Sequence, residues 1–388
     1  MARIAVPKEI TEGENRVALV PSMVPVLTKD KHDVLVQRGA GKQASFVDEQ
    51  YAGAGAQLVD NAVDLYPQAE VILKVRPPLC QVADGKVEAE LFREGSVYVG
   101  FFTPQAYPEV LKIFLQRRIT SFSLEHVPRI TRAQGMDALS SMATVAGYKA
   151  VLLAAAELGK MFPLMMTAAG TVPPSSVLVL GAGVAGLQAI ATAKRLGAKV
   201  EAFDPRPAVK EQVKSLGAAF VDIEVGEDVE AAGGYAREQS EDFLDRERKA
   251  IAARLPKVDV VISTAQVFNK RSPILLTEDM VKLLHPGAVI VDLAAAQGGN
   301  CELTVPGSTV QKHGVTIIGA VRLASTVPVD ASQMFSRNVL NLVRHLYPKP
   351  GVPTDYGDEI TKGCCITRNG ELVNESVRIA LQGGGNVS

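Results

Sequence analysis

Three glycines near the middle of the chain have the spacing of a turn that binds the phosphates of a dinucleotide. Gly181, Gly183 and Gly186 follow the apolar run 177–180 and precede a segment, 187–196, with a helical pattern. The first glycine allows a tight turn, the second lets the backbone approach a pyrophosphate, and the third lets the helix pack against the strand. Free N–H groups at the start of the helix attract phosphate. The sequence therefore predicts a nucleotide-binding turn; a glycine-rich turn without a nucleotide is the alternative.

An acidic residue follows this turn at the position expected for ribose binding. Asp204 ends the apolar run 200–203 and lies 18 residues after Gly186, close to the spacing of about 20 residues that is typical of such sites. A carboxylate accepts hydrogen bonds from ribose hydroxyls and opposes a 2′-phosphate, so Asp204 favours NAD(H) over NADP(H). Arg206 indicates the opposite, because an arginine near this position can hold a 2′-phosphate.

A second cluster of polar side chains precedes a long helical pattern. Arg129, Gln134, Asp137 and Ser140 lie close together in the sequence, and apolar residues at helical spacing begin at Ser141. One interpretation is a capping loop in which Asp137 accepts hydrogen bonds from the first N–H groups of the helix. The other is a set of side chains that orients a ligand. The residue types by themselves favour the cap.

Two α/β domains are predicted to position these residues. Short apolar runs alternate with helical stretches, which is typical of parallel sheets covered by helices. We expect one domain from 1–138 plus 330–388, a doubly wound Rossmann domain from 139–329, and a cleft between them. A second long helix is predicted from Ala331 to about Tyr347, and an Asn369-Gly370 hairpin in a tail that returns to the first domain. The predicted strands are 3–6, 33–37, 71–75, 97–101, 177–180, 200–203, 220–221, 258–263, 289–293 and 315–318.

Composition limits the partners and the location of the chain. Its 41 Lys plus Arg and 42 Asp plus Glu residues give a formal charge of -1, which provides no broad attraction for nucleic acid. The four cysteines form no Cys-x-x-Cys pair, so we expect no metal site and a reducing cytoplasm. No signal peptide is indicated. The uncharged run 161–193 is long enough to span a membrane, but Pro173 and Pro174 interrupt it, so no span is expected.

Over nearly its whole length the chain resembles the family of alanine dehydrogenases and nicotinamide nucleotide transhydrogenases. Together with the glycine turn, the run Arg132-Ala-Gln-Gly-Met-Asp137 is similar to the NAD(H)-binding component of the proton-translocating transhydrogenases. The runs 292–301, 312–315 and 363–370 extend this resemblance. It implies that four residues surround the nicotinamide and its ribose and are the catalytic residues. These are Arg129, Gln134, Asp137 and Ser140.

The resemblance also implies cofactors, partners and further binding residues. NAD(H) would bind to this chain, NADP(H) to a partner component, and a separate membrane-spanning component would form the proton channel. A homodimer is implied, in the cytoplasm at the inner face of the membrane. The segment 226–249 would be a loop that closes over the nucleotide, although its charge alone indicates a solvated helix and turn. The implied cofactor-binding residues are Arg129, Ile130, Thr131, Arg132, Gln134, Gly181, Ala182, Gly183, Val184, Ala185, Gly186, Asp204, Pro205, Arg206, Gly234, Tyr235, Ala265 and Gln266.

Two other functions remain open, an alanine dehydrogenase-like enzyme and a non-catalytic NAD(H) sensor. The substrate site of alanine dehydrogenases uses an Arg, a Lys, a His and an Asp. The first two match Arg16 and Lys74, but the His position is Thr103 and the Asp position is Ala296. Oxidising an amine moves a proton as well as a hydride and needs a general base, whereas transfer between two nicotinamide rings needs only the hydride. The residues therefore favour transhydrogenation, with Arg16 and Lys74 as structural ion-pair partners.

Overall fold

The computed structural model describes residues 2–82, 85–222, 240–266, 271–349, 352 and 354–383. The chain divides into two compact units, Met1–Met142 with Ser325–Ser388, and Ala143–Ala324. The strands are β1 Arg3–Val6, β2 Asp33–Gln37, β3 Gln57–Val59, β4 Val71–Leu73, β5 Val97–Gly100, β6 Thr120–Ser123, β7 Met165–Thr167, β8 Gly170–Val172, β9 Ser176–Leu180, β10 Lys199–Phe203, β11 Ala219–Phe220, β12 Val260–Ser263, β13 Val289–Asp292, β14 Thr309–Lys312, β15 Val315–Gly319, β16 Cys365–Arg368 and β17 Glu371–Leu372. The α-helices are α1 Val24–Lys29, α2 Asp48–Gly53, α3 Ala62–Leu65, α4 Pro108–Gln116, α5 Ala138–Glu157, α6 Val184–Arg195, α7 Lys210–Ser215, α8 Glu241–Ala252, α9 Glu278–Val281, α10 Pro328–Leu346, α11 Glu359–Cys364 and α12 Glu375–Gly383.

The first unit contains an eight-stranded sheet in the order β17-β16-β6-β5-β4-β1-β2-β3. Strands β1 to β6 are parallel to one another, and β16 and β17 join the edge in antiparallel pairs. Asn369 and Gly370 connect β16 to β17 with positive φ angles of 53° and 86°, the geometry that the Asn-Gly dipeptide favours in a two-residue hairpin. The predicted hairpin and the return of the tail are both confirmed.

The second unit contains a seven-stranded sheet in the order β11-β10-β9-β12-β13-β15-β14. All pairs are parallel except β14 with β15. The strands before β14 follow the order of the Rossmann fold, in which the chain reverses direction across the sheet between the first and fourth strands. Here that switch point lies between β9 and β12. Buried residues fill both faces of the sheet, as a doubly wound fold requires.

The predicted α/β fold with mostly parallel sheets is confirmed, and each of the ten predicted runs contains a strand with ends shifted by at most two residues. The second long helix begins at Pro328 rather than Ala331, because proline fits the first turn, where its missing N–H is not needed. The run 161–193 forms β7, β8, β9 and part of α6.

Helix α5 is the one described helix that is long and apolar enough to cross a membrane by length and composition alone. Its residues Ala150, Val151 and Ala154 are fully buried in the core of the second unit. A buried core helix of a folded unit meets the same criteria of length and composition.

Candidate functional site

The glycine turn of the second unit has the shape that the sequence predicted. Gly181 adopts φ 91° directly after β9, a conformation that residues with a Cβ rarely adopt. A Cβ on Gly186 would collide with the carbonyl oxygen of Gly181, so the helix can pack here only without a side chain. Gly183 lies just before the first residue of α6, Val184, and caps the helix without a side-chain hydrogen bond. The turn therefore presents backbone N–H groups at a helix N terminus, which fits a pyrophosphate.

The carboxyl end of the neighbouring strand β12 packs against this turn. The Thr264 hydroxyl donates a hydrogen bond to the Gly181 carbonyl at 3.0 Å. Ala265, one of the predicted cofactor-binding residues, donates its N–H to Oδ1 of Asn300, and Nδ2 of Asn300 donates to the Ala265 carbonyl. Ligands of open α/β sheets bind at the switch point, outside the carboxyl ends of the strands. The turn and Ala265 lie on its two sides, and Gln266 follows Ala265 with an exposed side chain.

Asp204 ends β10 and is buried, with an exposed fraction of 4%. Its Oδ2 accepts the N–H of Ala182 at 2.7 Å, which ties the acid to the phosphate turn. The Arg206 guanidinium binds the carboxylate with both Nε and Nη2, at 2.9 and 2.8 Å, and the Arg206 backbone N–H donates to Oδ1. The guanidinium is thus engaged by the carboxylate, and a ribose hydroxyl that binds to Asp204 must compete with four donors. Pro205 lies between the two partners.

A buried acid that the sequence analysis missed lies near Asp204. Glu247, on α8, is 2% exposed, and its Oε1 has no hydrogen-bond partner among the described residues. Burial, with the nearby charge of Asp204, raises the pKa of Glu247 to about 8. The position falls in a charged segment that is typical of a solvated helix, so only the apolar neighbours Phe243, Leu244 and Ile251 could have indicated that this helix face is buried.

The predicted nicotinamide residues belong to the first unit. Residues 131–136 form a 3-10 helix, in which Arg132 and Gln134 are exposed while Ala133 and Met136 are buried. Asp137 caps α5, because its Oδ1 accepts the N–H of Ser140 at 2.8 Å and its Oδ2 accepts the Ser140 hydroxyl at 2.6 Å. The capping interpretation therefore describes the geometry of Asp137.

The remaining residues of this group are placed as follows. Arg129 is exposed and has an interaction partner, Ile130 is half-buried and Thr131 is exposed. Arg132 forms an ion pair with Asp358 at 3.2 Å. The predicted loop residues Gly234 and Tyr235 lie outside the described residues.

The two residues shared with alanine dehydrogenases are ion-pair partners within the first unit. Arg16 binds both oxygens of the buried Glu14, at 2.6 and 2.5 Å. Nζ of Lys74 lies 2.9 Å from Glu88 and 3.3 Å from Glu9, and all three side chains are almost fully buried. Burial opposes the charge of Lys74, but the two carboxylates outweigh it and raise the pKa of the amine. Lys74 therefore stays protonated near neutral pH and cannot accept a proton.

The two positions where alanine dehydrogenases have proton-handling residues are occupied by different chemistry. Oγ1 of Thr103 donates a hydrogen bond to Oε2 of Glu125 at 2.6 Å. Burial raises the pKa of Glu125, and the hydrogen bond from Thr103 opposes that rise. Ala296 is exposed and has no titratable atom.

Comparison with known proteins extends over both units. The patterns described as "Alanine dehydrogenase/PNT, N-terminal domain" and "Alanine dehydrogenase/PNT, C-terminal domain" match residues 5–146 and 150–375. A "NAD(P) transhydrogenase subunit alpha" chain of Rhodospirillum rubrum is 45% identical over 384 residues, which cover 97% of this chain and 98% of the relative. The "Alanine dehydrogenase" of Methanococcus maripaludis is 32% identical over 337 residues, 83% of each chain.

Among solved structures, that of the transhydrogenase from Sinorhizobium meliloti matches 96% of this chain and 100% of its own, with a TM-score of 0.85 and 38% identity. The transhydrogenase subunits are thus more similar to this chain than the alanine dehydrogenases are, as the residues at positions 103 and 296 predicted. The chain belongs to the alanine dehydrogenase/PNT family and, within it, is similar over its whole length to transhydrogenase alpha subunits.

Proposed function

We propose that this chain is the NAD(H)-binding component of a nicotinamide nucleotide transhydrogenase. It binds NADH, and the hydride passes reversibly to NADP⁺ on a partner component. In the intact assembly this transfer is coupled to proton translocation through a membrane-spanning component, and this chain lies at the inner, cytoplasmic face of the membrane. The similarity to a "NAD(P) transhydrogenase subunit alpha" chain along 97% of this chain supports the proposal.

One observation carries the chemical basis of the proposal: the chain keeps a phosphate-binding turn and ribose acid, but Thr103 and Ala296 offer no general base. The nicotinamide ring supplies or accepts the hydride when NAD(H) is bound. Gly181, Gly183 and Gly186 let the backbone hold the pyrophosphate, and Asp204 binds the adenosine ribose. A reaction that moves no proton on the substrate needs positioning rather than a base, and positioning can contribute roughly 7–11 kcal/mol.

The positioning groups at the nicotinamide end are proposed to be Arg129, Gln134, Asp137 and Ser140. Asp137 and Ser140 hold each other at the start of α5, so their orientation is fixed before a ligand binds. The exposed amide of Gln134 can accept through its oxygen and donate through its nitrogen. It can therefore bridge a polar group of this chain's nucleotide and one of the partner's nucleotide.

We also propose that the chain forms a homodimer through the hairpin β7–β8. All residues of both strands are exposed except the half-buried Val172, although a two-stranded hairpin is at best marginally stable by itself in water. Leu164 and Met166 expose 55% and 75% of their surface. A second copy of this chain would cover these apolar side chains, and the partners that the transhydrogenase names imply would bind elsewhere.

Transfer of isotope tests the function directly. NADH deuterated at C4 of the nicotinamide is incubated with the full chain, an NADP(H)-binding partner component and NADP⁺. Mass spectrometry should then find the deuterium in NADPH. If NADPH gains no deuterium while NADH binds normally, the chain is a nucleotide-binding protein without this transfer function.

An alanine dehydrogenase-like oxidoreductase is the second candidate, favoured by the 32% identity to such an enzyme and by the retained Arg16 and Lys74. It requires reduction of NAD⁺ with an amino acid as the only other substrate. The same protein preparation can be tested for both reactions, so one result selects between the two candidates.

A further inference from the structure

Two amide side chains of α10 hold one carbonyl oxygen of the 3-10 helix 131–136. Nδ2 of Asn338 and Nδ2 of Asn341 donate to the Gly135 carbonyl at 2.9 and 2.8 Å. The two asparagines are three residues apart and therefore lie on the same face of α10. A Cβ on Gly135 would lie 2.8 Å from Nδ2 of Asn341, so glycine is what allows this close approach. The residue before Gly135 is Gln134.

The bonding of Asn338 is unusual for a side chain that only stabilises the fold. Asn338 is 6% exposed, and its Oδ1 has no hydrogen-bond partner among the described residues. A buried polar atom without a partner costs free energy, and an apolar residue of the same shape avoids that cost. Its amide at this position is explained by the one bond that it makes, to Gly135.

The backbone around Gln134 needs such a restraint. Glycine has more conformational freedom than any other residue, so Gly135 by itself would let the peptide beside Gln134 adopt several orientations. The Arg132–Asp358 ion pair adds little restraint, because the Arg132 side chain is 61% exposed and exposed pairs are weak. Two donors on one carbonyl remove the freedom of the glycine at the point where it matters for Gln134.

We propose that Asn338 and Asn341 are positioning residues for the hydride transfer. They fix the Gly135 carbonyl and thereby direct the Gln134 amide toward the two nucleotides of the reacting complex. This inference rests on the proposed function. Neither asparagine is proposed to touch a nucleotide, so their effect on the reaction passes through the backbone at Gly135.

The experiment compares Asn338→Leu, Asn341→Ala and the double variant in the full chain. Each single variant leaves one donor on the Gly135 carbonyl, so deuteride transfer to NADP⁺ on the partner should stay within about threefold of wild type. The double variant should lose about 10- to 100-fold, more than the product of the single effects, because a small misplacement of a positioning group is costly. The NADH dissociation constant should change less than about twofold, since the loss belongs to the reacting complex.

Two further measurements separate positioning from a structural role. The melting temperature of Asn338→Leu should be equal to or above that of wild type, because the substitution removes an unpaired buried oxygen. Exchange of the backbone amides of 131–137 should accelerate about tenfold in the double variant only. Ser336→Ala is the matched control on α10: it removes two buried bonds, to the Ala18 carbonyl and from the Val20 N–H, and should lower the melting temperature without changing transfer.

Transfer by the double variant within twofold of wild type overturns the inference, as does a loss that weaker NADH binding explains. A lower melting temperature for Asn338→Leu with a proportional loss of transfer also overturns it, since that is what a purely structural asparagine predicts. If the wild-type chain itself transfers no deuteride, the proposed function fails. The amide exchange of the double variant then still decides whether the asparagines order the segment.

Discussion

Replacing Gln134 by Asn shortens the side chain by one methylene and keeps the amide, which makes it a sharp test of the proposed bridge between two nucleotides. The Gln134 side chain is exposed. Exposed substitutions away from special backbone positions usually change the free energy of unfolding by no more than about 0.5 kcal/mol. A loss of activity in Gln134→Asn would therefore not come from unfolding.

The expected loss follows from the distance that the amide retreats. A misplacement of about 1 Å can reduce a reaction that depends on orientation by roughly 100-fold, which corresponds to about 2.7 kcal/mol in the activation free energy. The glycine turn and Asp204 belong to the other unit and are unchanged, so NADH affinity should fall by less than about threefold. Such a split between binding and transfer is typical of an interaction made chiefly in the transition state.

Single-turnover transfer of deuteride from labelled NADH to NADP⁺ on the partner measures the reaction, and calorimetry measures NADH affinity. Gln43→Asn is the matched control, because Gln43 is also an exposed glutamine of the first unit and should leave both measurements unchanged. Unchanged turnover in Gln134→Asn, or a loss that weaker NADH binding fully explains, would show that Gln134 is only a member of a loop before α5.

Three further predictions concern the cofactor, the rival reaction and the assembly. NADH should bind at least about tenfold more tightly than NADPH, because Asp204 engages the Arg206 guanidinium that a 2′-phosphate would need; equal affinities in calorimetry would contradict this. The chain should not reduce NAD⁺ with alanine, because Thr103 and Ala296 cannot act as a base, and steady NADH formation would restore the dehydrogenase candidate. Met166→Asp should convert the dimer to a monomer in light scattering with an unchanged melting temperature, since Met166 is 75% exposed; a wild-type chain that is already monomeric contradicts the proposed dimer.

The sequence predicted most of the fold because buried parallel strands are continuous apolar runs. The runs 177–180 and 289–293 are such cases, and both are strands of the second sheet. Strand β6 was missed because its residues Thr120, Ser121 and Ser123 are polar, although all are buried. Its burial depends on pairing with β5 and β16, and β16 lies far away in the sequence, so no local pattern could have indicated it.

The site could be predicted only as far as residue types and spacing allow. The glycine positions follow from backbone geometry, and the structure has the turn that they require. That Arg206 would bind Asp204 rather than remain available to a ligand depends on side-chain conformations that spacing does not specify. The same holds for Asn338 and Asn341, whose common partner Gly135 lies about 200 residues earlier in the chain.

The two sheets show why the nucleotide site is assigned to the second unit and not to the first. Both contain the strand order of a doubly wound fold, since β3-β2-β1-β4-β5-β6 repeats the arrangement of β11-β10-β9-β12-β13-β15. At the switch point of the first sheet, Glu9 follows β1 and Lys74 follows β4, and the two form a buried ion pair with Glu88. At the switch point of the second sheet, glycines follow β9 and leave backbone N–H groups without side chains around them. Shared topology therefore provides two equivalent places for a ligand, and the residues decide between them: charged side chains fill the first, whereas the second keeps the open turn that a pyrophosphate needs.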